Sequence, residues 1–150
     1  WSDLLETPMR LFVHAAPAHL PSVGAAGTRL CTEMVFDPGA VGDIVLSLDE
    51  ALANVIKHVY KGNDAGQVEI ELAPVAGQAA ELRITVRDWG TWTDPATIHS
   101  RDLSDVRPGG LGVHIMHKCM DRVDYTQAAG GGTLLTMTKR LAPRPQETKP

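Results

Sequence analysis

Between Asp37 and Tyr60 apolar residues return at intervals of four and three: Val41, Val45, Leu48, Leu52, Val55 and Val59. This period matches the 3.6-residue turn and predicts one long amphipathic helix. Asp37 and Pro38 give it a start, because a carboxylate caps free N–H groups and proline's fixed φ suits a first turn. The polar run KGND, residues 61–64, ends it. The stretches VEIEL (Val68–Leu72) and ELRITVRD (Glu81–Asp88) then alternate apolar and polar residues. A period of two predicts strands with one wet face, here neighbouring and antiparallel, joined by a loop holding Pro74 and Gly77.

The flanks complete the pattern. RLFVHA (Arg10–Ala15) predicts a first strand ended by Pro17, and Ala18–Glu33 a helix weakened by Pro21, Gly24 and Gly27. After Asp88 comes a long polar stretch from Gly90 to Gly109, too long for a plain connection. A glycine-rich turn, a helix from about Leu111 to Asp121, a strand from Arg122 to Gln127, a glycine turn and a strand from Thr133 to Leu141 follow. The expectation is one domain over residues 1–141 with a disordered tail, APRPQETKP, over 142–150.

Composition narrows the function. The 14 Lys and Arg against 18 Asp and Glu give a net charge of −4, which offers no basic footprint for nucleic acid or an anionic membrane. No apolar run reaches the roughly 18 residues of a membrane span, and no basic-then-apolar leader opens the chain. Cys31 and Cys119 stand far apart, without the spacing of a disulfide framework or a zinc site. A cytoplasmic protein is expected. The first residue, Trp1, suggests a piece of something longer.

Four local features carry chemistry. On the long helix, Asp43, Ser47, Glu50, Asn54 and Lys57 fall in one line about 180° from the valine and leucine stripe. Such a line is ordinarily a solvated face. Its central members are short polar groups, however, and a carboxylate and an amide at i and i+4 that shared a pocket would offer a base and a ligand for a hard cation. Asp88 shares the parity of Leu82, Ile84 and Val86, so the strand points it inward, where a carboxylate needs donors. It is either a strand-end cap or an acceptor for a base's amine, with Gly90 allowing close approach. Gly109, Gly110 and Gly112 precede a helix and present free N–H groups of the kind that hold phosphate. Thr133 has the inward parity of Leu135 and Met137. His114 and His117, at i and i+3, have no third ligand nearby and read as a solvated helix face.

Taken in order, E-x-x-x-N on a helix, D-x-G after a strand, G-G-x-G before a helix and G-x-T opening the last strand resemble the motifs of the GHKL (Bergerat-fold) ATPase superfamily. More narrowly, DEALANVIKHVY, GGLGVHIMHKCMDRVDY and GGTLLTMTKRL resemble the anti-sigma-factor serine/threonine kinases of bacterial partner switching. The resemblance covers roughly Met9 to Leu141. It implies an α/β two-layer sandwich, a mixed, mainly antiparallel sheet with helices on one face. It implies ATP or ADP with Mg2+ as cofactors, Glu50 as general base and Asn54 as the magnesium ligand. Asp88 would accept the adenine amine beside Gly90, Gly110 and Gly112 would lie on the phosphates, and Thr133 would complete the adenine contact. Thr91–Pro108 would form the ATP lid, with Arg101 or Arg107 near a phosphate. Trp92 stands where the first glycine box often has its second glycine.

The implied function is an ATP-dependent kinase for a STAS-domain anti-anti-sigma protein that also sequesters a sigma factor. Dimerisation through the first strand is a further implication. A non-catalytic, nucleotide-gated binding module and the ATP-binding domain of a larger, histidine-kinase-like protein are the alternatives. Against a histidine kinase, no paired long helices precede Asp37.

Overall fold

The computed structural model describes residues 8–34, 36–63, 65–75, 81–90 and 115–140. Strand β1 (Met9–His14) leads through a short 3-10 turn into helix α1 (Leu20–Glu33) and then α2 (Pro38–Asn54). Four strands follow: β2 (Gln67–Val75), β3 (Glu81–Asp88), β4 (Arg122–Gln127) and β5 (Thr133–Arg140). They form one sheet in the order β1-β2-β3-β5-β4. Every pairing among the described residues is antiparallel, so the expected mixed sheet is here wholly antiparallel.

Alternation sorts the sheet into two faces. Val68, Ile70 and Leu72 of β2, Leu82, Ile84 and Val86 of β3, and Leu135 and Met137 of β5 are buried. They join Val23, Leu30, Ile44, Leu48 and Leu52 of the two helices in one core. The residues between them, such as Arg83 and Glu69, belong to the other face and are exposed or half-buried. The result is the expected two-layer sandwich. Among the described residues no helix is long and apolar enough to cross a membrane.

The breakers in α1 prove useful to it. Pro21 falls in the first turn, where its missing N–H costs nothing. Gly24 and Gly27 are buried. A Cβ on Gly27 would lie 2.8 Å from Leu48 Cδ1, and one on Gly24 3.5 Å from Val45 Cγ1. The glycines therefore weaken an isolated helix but let α1 settle onto α2.

At the head of α2, Asp37 accepts from Ala40 N at 2.8 Å, as its position predicted. The other end departs from expectation. The helix does not run regularly to Tyr60 but widens over Val55–Val59 into a π turn, closed by Tyr60 N donating to Val55 O at 3.0 Å. An extra residue in the turn shifts the side chains beyond it, and such turns often sit at functional sites. The helix predicted from about Leu111 to Asp121 is described over residues 115–121 and is helical over 115–119. Met116 and Met120 are buried there, and His117 is exposed as expected.

Candidate functional site

The C-terminal half of α2, with its π turn, lies across the end of the sheet where β3 stops and β5 begins. Between them is a pocket with about 400 Å3 of non-atom space, part of it open solvent, lined by Ala51, Val55, Val59, Val86, Asp88, Tyr125, Thr133 and Leu135. Its walls are aliphatic and its floor holds a carboxylate, a suitable shape for a flat ring with one polar edge.

Asp88 is 3% exposed and points inward, as its parity required. Oδ1 accepts from Gly90 N at 3.0 Å and from Thr133 N at 3.2 Å. Both hydrogen bonds of this carboxylate among the described residues fall on Oδ1, and Asp88 lines the cavity. Burial pushes the carboxyl above its ordinary value, against the two N–H donors and the nearby Arg87 charge, which lower it. The site is therefore a strand-end cap and an inward-facing acceptor together; the two readings of Asp88 are not rivals.

Two glycines fix this corner. Gly90 packs so closely on Val59 that a Cβ would overlap Val59 Cγ1. Its close approach is thus to the π turn of α2. Gly132 has φ +86°, and a Cβ there would overlap the Asp88 carbonyl oxygen. Sequence reasoning singled out Thr133 and missed Gly132, although the GGG run before it was a visible signal. Arg87 then ties the turn to the sheet. Its guanidinium donates to the carbonyls of Asp88, Ala129 and Gly131 and stacks 4.7 Å from the ring centre of half-exposed Trp89. On the inner side, Tyr60 Oη accepts from Trp89 N at 2.9 Å and donates to Gln67 O at 2.7 Å, clasping the end of α2 to the exit of β3.

The polar line on α2 needs correction. It does not lie opposite the buried stripe but along its flank, because the helix packs on the sheet and α1 together and buries a broad sector. Ser47 is fully buried, while the apolar Leu46 before it is 40% exposed. Glu50 is half-buried and Lys57 exposed. Asn54 is the member that matters: both Oδ1 and Nδ2 are buried without a hydrogen-bond partner. The Tyr125 hydroxyl lies beside this amide without making a bond of ordinary geometry. Burial raises that phenol to about 12, and the Asn54 contact opposes the rise. Two orphaned amide atoms next to an aliphatic pocket suit a hard cation or phosphate oxygens.

Asp88, Gly90 and Thr133 thus meet at one corner of the sandwich, while Glu50 and Asn54 stand on α2 next to Ala51 and Val55, which line the pocket. Gly110, Gly112, Trp92, Arg101, Arg107 and the expected lid lie outside the described residues. Tyr125 escaped the sequence reading, since an inward tyrosine on a short strand carries no motif.

The model of the histidine kinase-like ATPase domain matches residues 13–139. The chain belongs to that family. Curated relatives of the histidine kinase-like ATPase domain include serine-protein kinase RsbW of Bacillus pumilus, 25% identical over 93% of this chain and 86% of the relative. Serine/threonine-protein kinase BtrW of Bordetella bronchiseptica is 30% identical over 67% of this chain and 70% of its own length. Among solved structures, the RsbU and RsbW domains of Rv1364c from Mycobacterium tuberculosis superpose with a TM-score of 0.67 at 22% identity, over 92% of this chain and 33% of that one. The last likeness speaks for the fold: the histidine kinase-like ATPase architecture is that of the described sheet and helices.

Proposed function

We propose that the chain is an ATP-dependent serine/threonine protein kinase and anti-sigma factor. It phosphorylates a STAS-domain anti-anti-sigma protein and otherwise sequesters a sigma factor. The named activity of the RsbW and BtrW relatives supports the kinase class. The observation that carries the reading in this chain is the one-sided clasp on Asp88 Oδ1 at an aliphatic pocket; in this reading Oδ2 faces the ligand. An adenine amine is the donor such an oxygen lacks.

In this reading the ring lies among Val55, Val59, Val86 and Leu135, with Thr133 completing its polar edge. Asn54 Oδ1 would hold Mg2+, which when bound supplies positive charge against the nucleotide's phosphates. With that amide oxygen, the phosphate oxygens would complete the ligand set. Gly110 and Gly112 are assigned to the phosphates.

Glu50, one turn before Asn54, is the base. The substrate hydroxyl oxygen forms a bond to the γ-phosphorus as the bond to the bridging oxygen of ADP breaks. ADP leaves with the electron pair, and the hydroxyl proton passes to Glu50. Positioning and charge supply most of the acceleration in such transfers. The reaction and both partners belong to the cytoplasm.

The test is to incubate the protein with Mg-ATP and candidate STAS-domain proteins and to follow phosphate on serine or threonine. Glu50→Gln should bind ADP yet transfer phosphate about 10²–10⁴-fold more slowly, the usual contribution of a general base. Equal transfer by wild type and variant would remove Glu50 from its role. No transfer to any candidate would remove the kinase.

A further inference from the structure

We propose that Tyr60 is a positioning residue for Asp88: its hydroxyl parts β2 from β3 just past that carboxylate, aims Gly90 N at Oδ1 and so sets the other oxygen to discriminate the base. The inference rests on reading the pocket as a nucleotide site.

The register shows where the hydroxyl acts. Val68 with Asp88 is the last pair between β2 and β3. One step further Gln67 comes opposite Trp89, and there the phenol stands between the two main chains. Oη accepts from Trp89 N at 2.9 Å and donates to Gln67 O at 2.7 Å, which a hydroxyl can do at once and neither an N–H nor a carbonyl can. Gln67 still pairs with His14, so β2 runs on beside β1 while β3 ends at Asp88.

Val59 and Tyr60, adjacent on the π turn, hold adjacent residues of the departing chain. Tyr60 bonds Trp89 N, and Gly90 packs so closely on Val59 that a Cβ would overlap it. Held in this way, Gly90 N donates to Asp88 Oδ1 at 3.0 Å. The ring has little room to drift, because a Cβ on Gly66 would lie 2.5 Å from its Cδ1 and Cγ. The second donor to Oδ1, Thr133 N, comes from β5 and owes nothing to the clasp. A carboxylate held by that donor alone can turn about it; two donors converging on one oxygen fix its plane.

The test compares ADP and IDP dissociation constants, by calorimetry, in wild type, Tyr60→Phe, Asp88→Asn and the double variant. Hypoxanthine carries a carbonyl oxygen where adenine has its amine, so the ratio of IDP to ADP constants measures what Asp88 reads. Phenylalanine keeps the ring against Gly66 and removes only the hydroxyl. In Tyr60→Phe the ratio should fall about fivefold, equivalent to roughly 1 kcal/mol at 1.4 kcal/mol per tenfold, near the worth of one hydrogen bond. In the Asp88→Asn background the same change should leave the ratio where it was. Gly66→Ala, which presses the ring from its seat but keeps the hydroxyl, should lower the ratio in the same direction. A merely structural role for the phenol would weaken ADP and IDP alike. The wild-type ratio in either folded variant would therefore overturn the proposal, as would an equal fall with and without Asp88. If neither variant folds, the clasp can be read in wild type: Trp89 and Gly90 amides that exchange well below the rate of unstructured peptide in the nucleotide-free protein support it, and a Trp89 amide exchanging at that rate refutes it. Wild type that binds ADP with no preference over IDP would overturn the proposal too, whereas wild type binding no ADP at all would sink the nucleotide site itself.

Discussion

Asp88→Asn separates the two duties of this side chain. In wild type both N–H donors, from Gly90 and Thr133, converge on Oδ1. Asparagine can offer its single carbonyl oxygen to the same pair, which forces Nδ2 into the pocket where Oδ2 stood. In the proposed site the adenine amine would then meet a donor in place of an acceptor. A hydrogen bond to a charged group is worth about 1.5–3 kcal/mol, and an unmatched buried donor costs about 1–3 kcal/mol. The two together come to about 2.5–6 kcal/mol, or roughly 10²–10⁴-fold in ADP affinity at 1.4 kcal/mol per tenfold. The fold should hardly notice. Burial, the largest influence on this carboxyl, raises it despite both donors, so a neutral isostere removes a desolvation cost that the charge carries here. The melting temperature of the unliganded variant should stay within about 3 °C of wild type or rise, at roughly 2–4 °C per kcal/mol for a chain of this size. Asp88→Ala, by contrast, leaves two N–H groups unpaired and should cost about 2–4 kcal/mol of stability. Calorimetric titration with ADP beside a thermal melt makes the comparison. An Asp88→Asn protein that binds ADP like wild type, or that melts as low as Asp88→Ala, would refute the assignment of one oxygen to the fold and the other to the ligand.

The same carboxyl gives a pH dependence with a definite sign. Because its folded value is raised above 3.8, the folded state holds the proton more tightly than the unfolded one. Ionised Asp88 therefore costs stability at neutral pH, and wild type should gain on Asp88→Asn as pH falls from 7 toward about 4; parallel melting curves would contradict this. Helix packing supplies a paired test in urea melts. Gly42→Ala, where a Cβ meets nothing within 4 Å, should stabilise by about 0.5–1 kcal/mol, whereas Gly27→Ala should destabilise by about 1–2 kcal/mol because Leu48 is fully buried and cannot yield. Gly132→Ala combines a positive φ with overlap on the Asp88 carbonyl. It should lower stability by about 2–3 kcal/mol and weaken ADP binding as well; unchanged affinity in a folded Gly132→Ala protein would separate the turn from the site.

Much of the architecture was legible along the chain. Strand alternation placed the inward residues of β2, β3 and β5 correctly, and with them Asp88 and Thr133, because a period of two leaves a side chain only two directions. The helix start at Asp37 was equally local, a matter of one carboxylate and the N–H groups three residues on. Motif order then brought Glu50, Asn54 and Asp88 under one family pattern. The helical sector was harder. A wheel gives the angle of Ser47 and Asn54 but not how wide a sector the neighbouring layers will bury, and α1 with the sheet buries more than the valine stripe implied.

Local rules of handedness, period and capping therefore decided which elements form and which way each side chain of a strand points, since those rules operate within a few residues. Distance between elements decided the rest. The π turn that aims Val55 and Val59 at the pocket, the pressing of Gly132 onto the Asp88 carbonyl, and the packing of Gly90 on Val59 all depend on contacts between segments far apart in the chain. Their energies exist only once the helices have docked on the sheet, so no window of sequence contains them.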